Sequence, residues 1–289
     1  MIFTSSCCDN LSIDEIIERA EKGDCEAQYI VGFYYNRDSA IDSPDDEKAF
    51  YWLKLAAEQG HCEAQYSLGQ KYTEDKSRHK DNEHAIFWLK KAALQGHTFA
   101  SNALGWILDR GEDPNYKEAV VWYQIAAESG MSYAQNNLAD LYEDGKGVAQ
   151  NETLAAFWYL KSAQQGNRHA QFQIAWDYNA GEGVDQDYKQ AMYWYLKAAA
   201  QGSVGAYVNI GYMYKHGQGV EKDYQAAFEW FTKAAECNDA TAWYNLAIMY
   251  HYGEGRPVDL RQALDLYRKV QSSGTRDVSQ EIRETEDLL

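Results

Sequence analysis

One nine-residue segment occurs seven times along the chain, and this repetition constrains the fold more than any other feature. Each copy begins with alanine, has an apolar residue four positions after that alanine, and has glycine or alanine five positions after it. The starting alanines are Ala27, Ala64, Ala100, Ala134, Ala170, Ala206 and Ala242. Successive starts are 37, 36, 34, 36, 36 and 36 residues apart. A constant period of this length predicts a protein built by stacking copies of one supersecondary unit.

A second recurring segment lies between the copies of the first. In six copies a tryptophan follows an alanine by three residues, and a glycine or, in one case, Asn238 comes eight residues after the tryptophan. The seventh copy has Leu266 in place of tryptophan. The tryptophans are Trp52, Trp88, Trp122, Trp158, Trp194 and Trp230. In both segments the small and apolar residues follow a helical period, and a glycine at the end suits a left-handed helix C-cap. Each repeat is therefore predicted to be an antiparallel pair of helices.

These helix pairs predict an all-α fold, a right-handed α-solenoid of seven pairs over residues 24–274. Residues 1–23 are predicted to form an N-terminal extension with a capping helix, and residues 275–289 a C-terminal capping helix or tail. Three prolines in 289 residues agree with a mainly helical chain. The length alone would suggest two domains, but the continuous repeat outweighs that expectation.

The repeat resembles the Sel-1-like repeat, a longer-looped relative of the tetratricopeptide repeat. Residues 206–235 carry the family pattern almost whole, in Ala206, Ile210, Gly211, Tyr214, Gly217, Gly219, Val220, Ala227, Trp230, Lys233, Ala234 and Ala235. The resemblance covers residues 24–274 and implies a protein-interaction scaffold or adaptor of a kind common in bacteria. The first two repeats depart from the pattern, because Asp38 and Asp75 stand where the first turn glycine is expected.

The charge balance bears on the partner. The net charge is −17, from 27 Lys and Arg against 44 Asp and Glu. This excess repels nucleic acid and anionic lipid, because binding to either begins with neutralising phosphates, and it favours a basic protein or peptide. No apolar stretch is long enough to cross a membrane. The N-terminus lacks the features of a secretory signal, which predicts a cytoplasmic protein if residue 1 is the natural start.

No cofactor, metal site or catalytic residue is predicted. The five cysteines are odd in number and match no zinc spacing, so reduced thiols are expected; they are Cys7, Cys8, Cys25, Cys62 and Cys237. The chain contains no Gly-x-Ser-x-Gly and no His-Glu-x-x-His motif. Family members reported to act on β-lactams resemble chains with two cysteines per repeat, a pattern absent here. A hydrolytic enzyme is therefore the disfavoured alternative.

The positions that the repeat leaves free predict the binding surface. Counted from the starting alanine as 0, positions −1, +2, +6 and +9 line the concave face by analogy with the tetratricopeptide superhelix. Aromatic residues there suit binding hot spots, and acidic residues suit a basic partner. The predicted partner-binding residues are Tyr29, Phe33, Tyr66, Phe99, Trp106, Asp109, Tyr133, Asp140, Glu143, His169, Phe172, Trp176, Tyr212 and Tyr244.

Three functional classes stay open at this point. The favoured class is a bacterial adaptor or regulator, of which a toxin-neutralising immunity protein is a sharper version. The others are the hydrolytic enzyme and an effector acting inside a host cell. The genes beside the coding sequence and the proteins retained from a native lysate would separate them.

Overall fold

The computed structural model describes residues 11–36, 45–74 and 79–289. This part of the chain contains sixteen α-helices and no β-strand, so the predicted all-α class is confirmed for it. The described residues divide into two compact units. One comprises residues up to 134 together with 146–149, and the other comprises 135–145 and 150–289. Cys7, Cys8, Asp38 and Asp75 lie outside the described residues.

The helices follow one another in pairs. The first unit contains α1 (Ile13–Glu21), α2 (Cys25–Asn36), α3 (Asp46–Glu58), α4 (Cys62–Thr73), α5 (Asn82–Leu94), α6 (Thr98–Arg110) and α7 (Tyr116–Glu128). Helix α8 (Ser132–Asp144) begins in the first unit and lies mostly in the second. The second unit continues with α9 (Glu152–Gln164), α10 (Arg168–Ala180), α11 (Tyr188–Ala200), α12 (Val204–His216), α13 (Tyr224–Glu236), α14 (Ala240–Tyr252), α15 (Leu260–Ser273) and α16 (Ser279–Asp287).

The even-numbered helices α2 to α14 are the first helices of the repeats, and the odd-numbered α3 to α15 are the second helices. The seven helix pairs expected from the repeat are therefore present among the described residues. Two further helices flank the pairs: α1 packs against α2, and α16 packs against α15.

In each of the seven repeats, an aspartate or asparagine caps the start of the second helix. Asp187, for example, accepts hydrogen bonds from the backbone N–H groups of Lys189 at 2.9 Å and Gln190 at 3.1 Å. A cap of this kind stabilises a helix by about 1 kcal/mol. The seven capping residues are Asp45, Asp81, Asn115, Asn151, Asp187, Asp223 and Asp259. They fix where each second helix begins.

The second helices end at the predicted left-handed residues. The backbone φ angle is +95° at Gly60 and +62° at Asn238, which is the only non-glycine residue with positive φ in the described part of the chain. Gly23, directly after α1, has a φ of +93°. Helix α1 thus ends in the same way as the second helices.

Burial of one face of each first helix leaves the predicted binding positions on the other. In α6, Ala100 and Leu104 are fully buried, and Gly105 packs so tightly that an added Cβ atom would lie 2.7 Å from the Tyr123 ring. Buried glutamines hold the helix ends: Gln65 donates to the Ala57 carbonyl at 3.1 Å and accepts from Gln95 at 2.8 Å. Positions −1, +6 and +9 are not buried in any described copy, whereas position +2 is buried at Asn136 and Val208.

Candidate functional site

The predicted residues lie on the first helices of both units, and three of them meet at a cavity in the first unit. Tyr66, Phe99 and Trp106 line a cavity of about 310 Å³ between α4 and α6. We call this cavity, with these three residues as its aromatic walls, the aromatic pocket. Phe99 is 59% exposed and Trp106 is 52% exposed, while Tyr66 is half-buried. The rings of Tyr66 and Phe99 are 6.4 Å apart.

A histidine fixes the inner wall of the aromatic pocket. His97 caps α6 by accepting a hydrogen bond from the Ala100 N–H at 3.0 Å, and its ring stacks on Tyr66 with 4.4 Å between centroids. Its Nε2 atom lies 3.2 Å from a Glu63 carboxylate oxygen. Burial raises the pKa of the Tyr66 hydroxyl, with a further contribution from Glu63. The tyrosine is therefore a neutral, oriented wall of the pocket.

The aromatic pocket also holds an unpaired polar atom. The side-chain oxygen of Asn102 is buried and has no hydrogen-bond partner among the described residues. Asn102 belongs to the residues that line the cavity, together with Gln70 and Thr73. A buried acceptor without a donor costs stability, and this oxygen is closed to solvent.

The other predicted residues of the first unit are placed differently. Tyr29 stacks on the cap residue His61 at 4.5 Å and lies 6.1 Å from Phe33, and both are half-buried. Asp109 lies 3.3 Å from its sequence neighbour Arg110, which neutralises part of its charge. Tyr133 is 67% exposed. Asp109 and Tyr133 do not line the aromatic pocket.

In the second unit, two predicted acids converge on one buried hydroxyl. The Tyr159 oxygen lies 2.7 Å from Asp140 Oδ1 and 2.6 Å from Glu143 Oε2. A tyrosine hydroxyl has one proton to donate, so it satisfies one of these two oxygens at a time. Burial and the two carboxylates strongly raise the pKa of Tyr159, which stays protonated. His169 Nε2 lies 3.8 Å from Asp140 Oδ1, and this contact raises the pKa of the imidazole.

The sequence analysis did not single out a further buried acid of this unit, Asp177. Its side chain is only 5% exposed, and burial, followed by the charge of Glu143, raises its pKa to about 8. A sequence signal existed: at the same repeat position four copies carry Ile107, Leu141, Met213 and Met249, and the other two carry Tyr34 and Lys71. A buried acid without a partner costs stability.

The remaining predicted residues of the second unit are partly covered by their own unit. Phe172 packs on Tyr195 at 5.7 Å, whereas Trp176 is 42% exposed. Tyr212 accepts a hydrogen bond from Asn245 at 2.9 Å.

The C-terminal segment reaches Tyr244. The Arg276 guanidinium lies 3.8 Å from the centre of the Tyr244 ring. The Tyr244 hydroxyl donates a hydrogen bond to a carboxylate oxygen of Glu281 in α16 at 3.3 Å. A partner that uses Tyr244 therefore has to share it with this segment.

A second set of exposed aromatic residues lies on the second helices, where none was predicted. Each is about half exposed and packs edge-on against the tryptophan that follows it, with centroids 4.9 to 5.1 Å apart. These residues are Tyr51, Phe87, Phe157 and Tyr193. A lysine of the same helix covers three of the rings, as Lys91 does for Phe87 at 4.5 Å. Exposure of an aromatic ring alone therefore does not identify the binding surface.

Metal-ligand groups and membrane-spanning helices are both absent from the described residues. No group of three or more His, Cys, Asp or Glu side chains there could hold a metal ion. None of the helices there has both the length and the apolar content that a bilayer crossing requires.

Comparison with known proteins places the repeat in a family. The profile described as Sel1 repeat matches residues 25–61, 62–97, 98–131, 132–167, 168–203, 204–239 and 240–269. The chain is 89% identical over 151 residues to the Sel1-repeat-containing protein YbeQ of Escherichia coli K12, covering 52% of this chain and 46% of YbeQ. The chain thus spans about half the length of this curated relative.

Two solved structures are similar over most of the chain. One is c5321, a protective antigen of uropathogenic Escherichia coli, with 31% identity, a TM-score of 0.82 and coverage of 92% of this chain and 57% of that chain. The other is a Sel1 repeat protein from Oxalobacter formigenes, with 32% identity, a TM-score of 0.71 and coverage of 94% and 80%.

Proposed function

The chain belongs to the Sel1 repeat family, and we propose that it acts as a non-enzymatic scaffold that binds another protein through the first helices of its repeats. Sel1 and tetratricopeptide-like repeat proteins bind other proteins. Stacked helix pairs offer extended binding surfaces because each pair presents a similar face. The proposal assigns the aromatic pocket as the main contact for the partner.

One observation carries the proposal: Trp106 is half exposed at a position where packing does not require an aromatic residue. The equivalent positions in other copies are occupied by residues as different as Gln70, Asp140 and Ile248. An exposed tryptophan beside Phe99 presents apolar surface to water, and such surface usually marks an interface. Tryptophan is also enriched among the residues that dominate binding energy.

The aromatic pocket suits an apolar side chain flanked by peptide backbone. The rings of Tyr66, Phe99 and Trp106 supply apolar walls. Gln70 and Thr73 line the same cavity and add polar groups that can form hydrogen bonds with a peptide backbone. The combination favours a polypeptide over a purely apolar small molecule.

Capture from a native lysate of the producing cell, followed by quantitative mass spectrometry, tests the proposal. The wild-type chain is compared with Trp106→Ala and with Phe87→Ala, whose ring is equally exposed in the same unit but lies on a second helix. We expect a protein that the wild type and Phe87→Ala retain and that Trp106→Ala loses. A set of retained proteins that is identical for all three would overturn the proposal.

A toxin-neutralising immunity role is a narrower form of this proposal. The net charge of −17 supports it, since an acidic protein attracts a basic partner. The test is co-expression with the product of each adjacent gene: growth rescue that depends on Trp106 supports the role, and absence of rescue for every neighbour counts against it.

We also propose that the protein works in a reducing compartment such as the cytoplasm. The three cysteines within the described residues, Cys25, Cys62 and Cys237, are all free thiols. Free thiols are typical of reducing compartments. The location is tested by fractionating producing cells, and recovery in an oxidising compartment would contradict it.

A further inference from the structure

His97 is held at both ring nitrogens, and these contacts fix where its proton lies. Nδ1 lies 3.0 Å from the backbone nitrogen of Ala100, and Nε2 lies 3.2 Å from a carboxylate oxygen of Glu63. The Ala100 N–H group is a donor, so Nδ1 has to be an unprotonated acceptor. The proton of the neutral imidazole is therefore on Nε2, which donates it to Glu63. The observed geometry fits only the neutral form of His97.

A second proton on His97 is incompatible with this position of the ring. An imidazolium has N–H groups on both nitrogens, so two donors would face each other across the 3.0 Å between Nδ1 and the Ala100 nitrogen. The His97 side chain is only 7% exposed, so there is little room for water to separate the two donors in place. Glu63 is about half exposed, and its carboxylate can follow the ring outwards. Protonation therefore displaces the ring.

The displacement reaches the aromatic pocket through Tyr66. The His97 ring stacks on the Tyr66 ring with 4.4 Å between centroids and an interplanar angle of 28°. It also lies 6.2 Å from the ring of Phe99. Tyr66 and Phe99 are two of the three aromatic walls of the pocket. Departure of the His97 ring thus removes the support of one wall and a neighbour of another.

Few charged groups surround His97. Glu63 and Tyr66, both on α4, are the ionisable side chains that touch it, and α6 contributes the uncharged ring of Phe99. No other charged side chain in the described part of the chain forms an ion pair or a hydrogen bond with His97. The polar contacts that respond to its protonation are therefore those with Glu63 and with the Ala100 N–H group.

We propose that His97 is a pH-sensitive switch of the aromatic pocket: the pocket binds its partner while His97 is neutral and loses affinity when acidification protonates the ring. This inference rests on the proposed function and concerns the regulation of the same site. Binding to the protonated protein requires His97 to release one proton to the solvent. When about one tenth of the His97 rings are neutral, the apparent Kd is about tenfold higher than for the fully neutral protein.

The preceding repeat contains the same arrangement without the pocket. His61 Nδ1 lies 3.2 Å from the Ala64 nitrogen, and its Nε2 lies 3.0 Å from a carboxylate oxygen of Glu26. The His61 ring stacks on Tyr29 with 4.5 Å between centroids. None of these four residues lines the aromatic pocket. His61 is therefore an internal control, because its replacement changes an equivalent cap and leaves the walls of the pocket in place.

An NMR titration of the ligand-free protein tests the switch itself, between about pH 8 and about pH 5, a range that covers the titration of histidine. Imidazole nitrogen shifts assign the tautomer and show where His97 takes up its second proton. We expect the Nε2–H tautomer at the upper end, with Overhauser contacts between the rings of His97 and Tyr66. These contacts should disappear as the second proton is added. Contacts that persist when His97 is protonated, or a ring that stays neutral throughout, would overturn the inference.

Binding of N-acetyl-phenylalanine amide over the same range tests the effect on the pocket. This probe presents an apolar side chain between two peptide groups and has no titratable group, and the Trp106 indole signal reports its binding. Affinity should fall in step with the protonation of His97, to about one tenth when about nine tenths of the rings are protonated. His61→Asn should give the same profile as the wild type.

His97→Asn is the decisive variant. Asparagine caps another first helix, where Asn167 accepts from the Ala170 N–H at 3.1 Å, so α6 should stay capped. The variant lacks both the support for Tyr66 and the titrating ring, so we expect weaker probe binding that no longer changes with pH. A pH dependence that survives in His97→Asn, or that His61→Asn also abolishes, would overturn the inference. The titration of the wild type decides the question if this variant folds poorly.

The two proposals fail in different ways. Probe binding that ignores the protonation of His97, together with partner capture that depends on Trp106, removes the switch and leaves the scaffold in place. Capture that ignores Trp106, or a probe that does not bind the wild type at the upper end of the pH range, counts against the proposed function.

Discussion

Gly183 lies directly against the start of α9: a Cβ atom at Gly183 would stand 2.2 Å from the carbonyl oxygen of Glu152. The φ angle of Gly183 is +67°, which side chains rarely adopt. Gly147, Gly219 and Gly255 make the same approach, at 2.4 to 2.8 Å, to the first residue of another second helix. The Gly-x-Gly turn of the repeat is therefore a packing device.

Gly183→Ala should destabilise the protein far more than Gly166→Ala. Both glycines have positive φ, but an added Cβ atom at Gly166 meets nothing within 4 Å. Gly166→Ala thus carries backbone strain of about 1 kcal/mol. Gly183→Ala adds a backbone clash, and we expect a total of about 3 kcal/mol or more. Urea denaturation measures both, and equal losses would show that the contact with Glu152 is unimportant.

Trp194→Ala should unfold the protein more easily than Trp106→Ala. Trp194 is 8% exposed and Trp106 is 52% exposed. Truncating the buried Trp194 ring leaves a cavity that lowers the free energy of unfolding by about 3–5 kcal/mol. Truncating the exposed Trp106 ring should lower it by less than about 1 kcal/mol. Thermal unfolding compares them. A Trp106→Ala variant as unstable as Trp194→Ala would place Trp106 in the core and remove the aromatic pocket as a binding surface.

Asp177→Met should stabilise the protein at neutral pH. The folded-state pKa of Asp177 is about 8, while an unfolded aspartate ionises near about 4, so the folded state loses stability as pH rises between these values. Two other repeats have methionine at the equivalent position, Met213 and Met249. Replacing Asp177 with methionine removes the ionisable group and with it this loss of stability. We expect a gain of about 2–4 kcal/mol at about pH 7 that shrinks towards about pH 4.

Urea denaturation at several pH values measures this gain, with Asp177→Asn as the control that keeps the side-chain shape. A gain that does not vary with pH would show that Asp177 is not a buried, neutral acid in the folded state.

Reductant should leave the melting temperature unchanged, because the described cysteines are free.

Burial raises the pKa of the Cys25 and Cys62 thiols, so less of each is thiolate at mildly alkaline pH. Their Sγ atoms point to the carbonyls of Ala56 and Ala92, at 3.6 and 3.7 Å. Limited alkylation with peptide mapping should therefore modify the exposed Cys237 before Cys25 or Cys62. Equal rates at the three sites would contradict this placement.

The period of the sequence was enough to predict the helix pairs and their left-handed ends, because these depend on residues close together in the chain. Gly60 and Asn238 illustrate this, since each ends a helix where the spacing indicates. The exposure of Trp106 was also predictable, because its repeat position accepts Gln70 in another copy.

Contacts between distant segments were beyond sequence reasoning. Burial raises the pKa of Asp177, and so do the charges of Glu143 and Glu152, which lie on other helices. Tyr244 is covered by Arg276 of the C-terminal segment, and no repeat pattern places that segment. The side-chain period identifies which face of a helix is free, but not what a later segment brings to it.

The affinity of the captured partner for three purified proteins tests the central claim most directly. Calorimetry gives the Kd for the wild type, Trp106→Ala and the matched control Phe87→Ala. If the aromatic pocket is the main contact, Trp106→Ala raises the Kd by about 30-fold, which corresponds to about 2 kcal/mol, and Phe87→Ala changes it by less than about twofold. Equal Kd values for the wild type and Trp106→Ala would contradict the claim that this surface binds the partner.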